Sequence, residues 1–173
     1  MTPFRFEHVY RAASPAAVFA TFFDPLHAAE EDRRAGVAAR ELLEMADRPD
    51  ELIRKARVWP KRTIPAVLRP IVGSDISYDE TLTWHKALDR VDYDIRPRLL
   101  SGRIKIAATY QLTQVEPGKV KRVYEGTVSA DLRLIGGRVE RGIIDDMTKS
   151  LVITAACTQE GIDKAAAHAA KFG

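Results

Sequence analysis

The last third of the chain, residues 136–172, constrains the fold most, because its apolar residues recur at steps of three and four. That spacing is the period of one face of an α-helix. The acid–base pairs Asp145–Lys149 and Glu160–Lys164 have the spacing expected on an exposed helix face. The sequence therefore predicts one long amphipathic helix that starts at the glycine pair Gly136-Gly137. Its inner face would carry Val139, Ile143, Met147, Leu151, Thr154, Thr158, Ile162, Ala165, Ala169 and Phe172.

The start of the chain predicts a strand followed by two short helices. Aromatic and polar residues alternate over residues 4–11, which is the period of a β-strand with one aromatic face. Ser14-Pro15 and Asp24-Pro25 each place an N-cap residue before a proline, a combination that starts helices. The second helix would end at Gly36, and its polar run Glu30–Arg34 is interpreted as a solvated face.

Strand-type patterns fill most of residues 37–132, and short turns join them. Consecutive strands joined in this way pair antiparallel. The connection that contains Pro60, Pro65 and Pro70 is interpreted as a partly buried loop, either a lid beside a cavity or an ordinary covered loop. The predicted strands are Val37–Ala46, Glu51–Trp59, Ser74–Lys86, Val91–Arg96, Gly102–Val115 and Val120–Leu132. The glutamates, leucines and alanines of the first segment also suit a helix.

Together these elements predict an α+β protein with a single domain over residues 1–173. A curved antiparallel sheet of about seven strands would wrap around the long C-terminal helix, the one element long enough to cover its apolar face. A strongly curved sheet leaves a gap beneath such a helix, and a ligand can sit there.

Composition narrows the classes of function. The net charge of +3 is small and interleaved with acids, which argues against nucleic-acid binding. Cys157 is the one cysteine, so an intrachain disulfide and a multi-cysteine metal site are excluded, and a reduced, cytoplasmic setting is favoured. It lies in an apolar run and is expected to be a small buried residue. The sequence shows no signal-peptide pattern and no apolar run that approaches the length of a membrane span.

Three segments carry a resemblance to a known superfamily. They are Phe4-Arg5-Phe6-Glu7-His8-Val9-Tyr10, Ala13-Ser14-Pro15-Ala16-Ala17-Val18-Phe19, and Gly136-Gly137 before the last helix. With the order of elements, they resemble the START-like (SRPBCC) superfamily of polyketide cyclases and the birch-pollen allergen, and most closely an uncharacterised bacterial branch of it. The resemblance implies a helix-grip fold with a deep, mainly hydrophobic cavity for lipids, polyketides or similar molecules. It implies no cofactor, and since the superfamily shares no catalytic motif, it assigns no catalytic residue.

Candidate ligand-binding residues are polar or aromatic members of apolar strand faces. Glu80 lies between Tyr78 and Leu82 on one face of its strand, so an inward orientation would bring a carboxylate into the cavity. The alternative is that Glu80 pairs with an arginine at the sheet rim and that the others are core residues. The full set of predicted ligand-binding residues is His8, Tyr10, Tyr78, Glu80, Trp84, Tyr110, Tyr124, Ile143, Met147 and Leu151.

Three functions remain open. The favoured one is a binding protein that sequesters or carries a small hydrophobic ligand. The second is an enzyme, a cyclase, dehydratase or hydrolase that uses Glu80 or His8 as acid or base. The third is an interaction protein with a filled core, in which the apolar run Leu151–Cys157 forms a homodimer contact or is simply buried. No motif with metal-ligand spacing and no phosphate-binding loop supports other chemistry.

Overall fold

The computed structural model describes residues 1–61 and 76–172. Within them the chain forms seven strands and three α-helices. Their bounds are β1 Thr2–Arg11, α1 Pro15–Phe22, α2 Pro25–Ala35, β2 Val37–Asp47, β3 Glu51–Pro60, β4 Tyr78–His85, β5 Arg90–Pro97, β6 Ile104–Glu116, β7 Lys119–Ala130 and α3 Gly136–Phe172. The loop predicted around Pro65 and Pro70 lies outside the described residues.

The strands form one antiparallel sheet in the order β1-β7-β6-β5-β4-β3-β2. Strands β2 to β7 follow one another as a meander, and β1 joins the sheet beside β7. The helix α3 packs against β1 and β7 on one side and against α1 and α2 on the other. The predicted helix-grip architecture, a curved sheet around a long C-terminal helix, is confirmed.

Local sequence signals account for the helix bounds. The Ser14 hydroxyl accepts a hydrogen bond from the amide of Ala17 at 3.3 Å, and the Asp24 carboxylate accepts one from the amide of His27 at 2.8 Å. These N-caps start α1 and α2. Gly36 ends α2 in the left-handed region, with φ of 74°, where glycine carries no steric penalty.

Strand ends differ from the prediction by a few residues. The strand predicted over Val120–Leu132 ends at Ala130, because the chain turns there. The amide of Leu132 donates a hydrogen bond to the carbonyl of Ala130, and the amide of Gly136 donates one to the carbonyl of Leu132. The helix α3 follows directly. Within the segment predicted as a strand over Ser74–Lys86, residues Tyr78–His85 form β4.

The main core lies between the concave face of the sheet, α1 and α3, and six of the seven strands contribute to it. Its largest fully buried side chains include Tyr10, Phe19, Leu82 and Leu112. Cys157 is buried, as predicted for a small apolar residue. This core fills part of the space beneath the sheet, and the remaining space lies between the sheet, α2 and α3.

Candidate functional site

A cavity of about 390 Å³ lies between the concave face of the sheet and the helices α2 and α3. Its volume falls within the range of about 300–1,000 Å³ that is usual for small-molecule sites. Much of its wall is apolar or aromatic. The residues that dominate this wall are Tyr93, Ile95, Ile106, Tyr124, Ile143 and Leu151.

Six of the ten predicted ligand-binding residues line this cavity. The strand residues project inward because alternate side chains of β4, β6 and β7 share the concave face. Ile143 and Leu151 lie two turns apart on α3 and close the cavity from above. These six residues are Tyr78, Glu80, Tyr110, Tyr124, Ile143 and Leu151.

The other four predicted residues do not line the cavity. Trp84 packs against Phe19 and Phe23, with ring centroids 4.8 Å from each, because α1 covers that end of β4. Met147 packs against the main core from α3. His8 and Tyr10 lie under α3 on β1, with ring centroids 4.7 Å apart. Inner-face position alone therefore did not distinguish core residues from cavity residues.

Six charged cavity residues were not predicted from the sequence. Two of them, Glu31 and Asp32, come from the run of α2 interpreted as a solvated face, and that interpretation was wrong for both. Glu30 and Arg33 lie on the outer side, whereas Glu31 and Asp32 share the inner side with Ala28 and Ala35, at helical spacing. The small alanines on that face were the signal that could have found them. The missed residues are Glu31, Asp32, Arg40, Arg54, Arg122 and Asp146.

An ion-pair network joins four elements at one end of the cavity. Arg40 on β2 binds Asp32 through two parallel hydrogen bonds, Nε to Oδ2 at 2.8 Å and Nη2 to Oδ1 at 2.9 Å. Its Nη1 also donates to Oε1 of Glu80 at 3.0 Å. Arg54 on β3 lies 3.5 Å from the same oxygen. Such bidentate pairs fix geometry, so the network holds α2 against the sheet.

Glu80 was interpreted from the sequence either as a cavity carboxylate or as a partner of an arginine, and the structure shows both features. Its side chain is 8% exposed and lines the cavity, yet its carboxylate is paired with arginine. The contacts from Arg40 and Arg54 both reach the same carboxylate oxygen of Glu80, Oε1. The side chain of Glu80 is therefore held in place by two arginines.

Glu31 differs from Glu80 because no arginine of the described residues lies within ion-pairing distance of it. Its side chain is 20% exposed, and Nε2 of His27 lies 3.6 Å from its Oε2. Burial, reinforced by the charge of Asp32, raises the pKa of Glu31 to about 7, although Arg122, Arg40 and Arg54 oppose the rise. Glu31 is therefore a carboxyl group that exchanges its proton near neutral pH.

Arg122 is the third cavity arginine and is 4% exposed. Its guanidinium carbon lies 5.6 Å from the ring centroid of Tyr10 and 5.7 Å from that of Tyr110, so two cation–π contacts orient the group. Among residues 1–61 and 76–172, no side chain forms an ion pair with it, and its Nε has no hydrogen-bond partner.

A second concavity of about 940 Å³ lies on the outer side of α1, α2 and α3. Alanines form much of its floor, and Glu30, Arg34 and Glu160 form an ion-paired rim. Unlike the cavity under the sheet, its lining includes no phenylalanine, tyrosine or tryptophan among the residues that the structure describes.

The described residues hold no group of three or more histidines, cysteines or carboxylates placed to bind a metal ion. Across the same residues, no helix has the length and hydrophobicity that a membrane span requires.

Comparison with solved structures defines the class of protein. An aromatase/cyclase named Zhui from Streptomyces sp. R1128 shares 12% identity and a TM-score of 0.61, over 94% of this chain and 95% of its own. A START superfamily protein from Mycobacterium smegmatis shares 10% identity and a TM-score of 0.53, over 94% of this chain and 97% of its own. The protein Ara h 8.0201 shares 16% identity and a TM-score of 0.58, over 94% of this chain and 98% of its own. The chain is similar to all three in fold, and that fold is START-like.

The family can be stated more narrowly than the fold. Residues 5–162 match the model of the family described as protein of unknown function DUF2505, and the chain belongs to that family. None of the curated proteins matches it in sequence.

Proposed function

We propose that this protein binds a small, mainly apolar molecule in the cavity beneath α3 and sequesters or carries it. The observation that supports this most is a cavity of about 390 Å³ with an aromatic and aliphatic wall and a few polar groups at one end. Such a division is typical of ligand sites, in which apolar area supplies affinity and placed polar groups supply orientation. Structural neighbours named as a START protein and as an aromatase/cyclase are consistent with it.

Blocking the cavity tests this proposal. Ala28 lies on the inner side of α2 and lines the cavity, whereas Ala29, the next residue, is exposed. We expect Ala28→Trp to abolish binding of a neutral two-ring probe such as 2-naphthamide, because the indole would fill the space the probe needs. Ala29→Trp places the same side chain outside and should leave affinity unchanged.

Isothermal titration calorimetry of the wild type and both variants measures this effect. Equal binding by wild type and Ala28→Trp, with both proteins folded, would place the probe elsewhere and contradict the proposal. Native mass spectrometry of the purified protein provides an independent readout, since a carried ligand would add a discrete mass that Ala28→Trp lacks.

A second candidate function is catalysis within the same cavity, and Glu31 favours it. Effective general acids and bases have a pKa near the working pH, and the pKa of Glu31 is raised to about 7. It suits this role better than the two residues suggested by the sequence, since Glu80 is held by two arginines and His8 does not line the cavity. If a substrate is found, a hundredfold slower turnover in Glu31→Gln with binding intact would favour the enzyme over the carrier.

Oligomeric state and location stay predictions. In the run Leu151–Cys157, Val152 and Ile153 are exposed, which leaves an apolar surface available for the suggested homodimer contact. We propose that the protein is cytoplasmic, because its single cysteine is free and buried, as is usual for proteins of reducing compartments.

A further inference from the structure

The charges around the cavity divide into a paired set and two remaining groups. Arg40 and Arg54 are matched by Asp32 and Glu80 through the contacts described above, and the cavity carboxylate of Asp146 lies 3.8 Å from Nζ of Lys149. Arg122 and Glu31 remain outside that network. Since the pKa of Glu31 is raised to about 7, Glu31 is protonated below neutral pH, and Arg122 then holds a positive charge without a counter-ion among the described residues.

A buried cation without a counter-ion is costly to the fold, and natural proteins keep such groups mainly where they serve a ligand. The guanidinium of Arg122 cannot lose its charge at physiological pH. The rings of Tyr10 and Tyr110 hold it in position but carry no charge to neutralise it. The group is therefore a fixed donor that faces the cavity.

We propose that the ligand of this cavity is an organic acid, an apolar molecule that bears one carboxylate, and that Arg122 binds that carboxylate. This inference rests on the proposed ligand-binding function and specifies its substrate class. The planar guanidinium donates to both oxygens of a carboxylate at once. The apolar remainder of the molecule would lie against Tyr93, Ile106 and Tyr124.

The charge balance favours a monoanion over a phosphate. Since Arg40 and Arg54 are already matched by Asp32 and Glu80, Arg122 supplies one unmatched positive charge, and the carboxylates of Glu31 and Asp146 line the same cavity. A dianion would be repelled by those carboxylates after one charge had been neutralised. The protonated carboxyl of Glu31 would instead be able to donate a hydrogen bond to a bound carboxylate.

Binding should therefore depend on pH through Glu31. Ionised Glu31 repels a bound anion, so affinity should fall from about pH 6 to about pH 8, on either side of its pKa. Arg122 and the paired arginines stay charged throughout this range. The charged or titratable groups around Glu31 include Glu80 on β4 and Asp146 on α3, which line the same cavity. The others are His27 and Asp32 on α2, Tyr10 on β1, Arg40 on β2, Arg54 on β3, Tyr110 on β6, Arg122 on β7 and Cys157 on α3.

The experiment compares 2-naphthoate with 2-naphthamide, a neutral molecule of matched shape, by isothermal titration calorimetry at about pH 6. We expect the wild type to bind naphthoate at least about tenfold more tightly, the effect of one charge-assisted hydrogen bond or more. Equal affinities would overturn the carboxylate inference and leave the proposed function intact. Failure of both molecules to bind would overturn both.

Variants then locate the anion site. Arg122→Met should weaken naphthoate binding by about tenfold or more and leave naphthamide within about threefold, since methionine keeps the apolar volume without the charge. Arg133→Met removes an equal charge from an exposed position and should change neither. Glu31→Gln should remove the loss of naphthoate affinity between about pH 6 and about pH 8. Unchanged naphthoate preference in a folded Arg122→Met protein would overturn the assignment.

Discussion

Replacing Gly126 by alanine is expected to destabilise the protein by more than about 3 kcal/mol, the largest effect of a single methyl group that we predict. Gly126 lies within β7, opposite Phe4 of β1 and Ala108 of β6. A Cβ atom at this position would lie 2.1 Å from the carbonyl oxygen of Ala107 and 2.6 Å from the Cα of Ala108. Both atoms belong to the backbone, so no rotation of a side chain relieves the clash, and β6 and β7 would have to separate.

Gly142 provides the control. It lies within α3, and a Cβ there would meet no atom within 4 Å. Gly142→Ala should therefore stabilise the protein by up to about 1 kcal/mol through helix propensity. Thermal unfolding monitored by circular dichroism should show a melting temperature about 6–12 °C lower for Gly126→Ala and slightly higher for Gly142→Ala. Similar melting temperatures for wild type and Gly126→Ala would contradict the close approach of the two strands.

The substitution Glu31→Gln is expected to stabilise the protein at alkaline pH, by up to about 3 kcal/mol, because burial raises the pKa of this carboxyl from 4.5 to about 7. Between those two pH values the folded chain holds the Glu31 proton while the unfolded chain has released it. The free energy of unfolding therefore falls as pH rises through this window and stays low above it. Glutamine has no proton to release, so the stabilisation should be near zero below about pH 4.5 and largest above about pH 7.

Urea unfolding of both proteins at a series of pH values measures this difference directly, since contributions from other titrating groups largely cancel. Glu30→Gln is the matched control, because Glu30 is the preceding residue and hydrogen bonds from Arg33 and Arg34 lower its pKa to about 2. Removing that carboxylate should not stabilise the protein at any pH. A stability difference for Glu31→Gln that does not change with pH would show that Glu31 has the same pKa in the folded and unfolded states, and would contradict the prediction.

The fold was predictable because its signals are local and repeated. Alternation in the strands, the caps at Ser14 and Asp24, and the long helical period after Gly136 each specify an element without knowledge of the rest. A meander with short turns leaves few other topologies once those elements are placed. Neighbouring strands pair in sequence order, as observed for β2 to β7.

The candidate site was only partly predictable, since it depends on which part of the concave face the helices cover. Trp84 and Glu80 share one face of β4, but α1 covers the first and leaves the second at the cavity. The sequence pattern does not contain that distinction. Arg122 illustrates a second limit. It lies on the same face of β7 as Tyr124, and charge on an otherwise apolar strand face was the signal that could have identified it.

Glu31 was missed for a related reason. In a short polar helix, the usual interpretation of consecutive charged residues is a solvated surface. The structure separates Glu30 from Glu31 by the rotation of one helical residue, about 100°, and the partner that buries Glu31 is a sheet formed much later in the chain. Only long-range packing decides which of the two carboxylates is buried.

Methyl chemical-shift mapping with 2-naphthoate tests the central claim, a ligand site beneath α3, most directly. We expect saturable shifts of the methyl groups of Ile95, Ile106, Ile143 and Leu151, which line the cavity. The methyl groups of Ile162, which lines the outer concavity, and of exposed Val152 should not respond. Shifts confined to Ile162 and its neighbours, or no saturable shift at any cavity methyl group, would contradict the account.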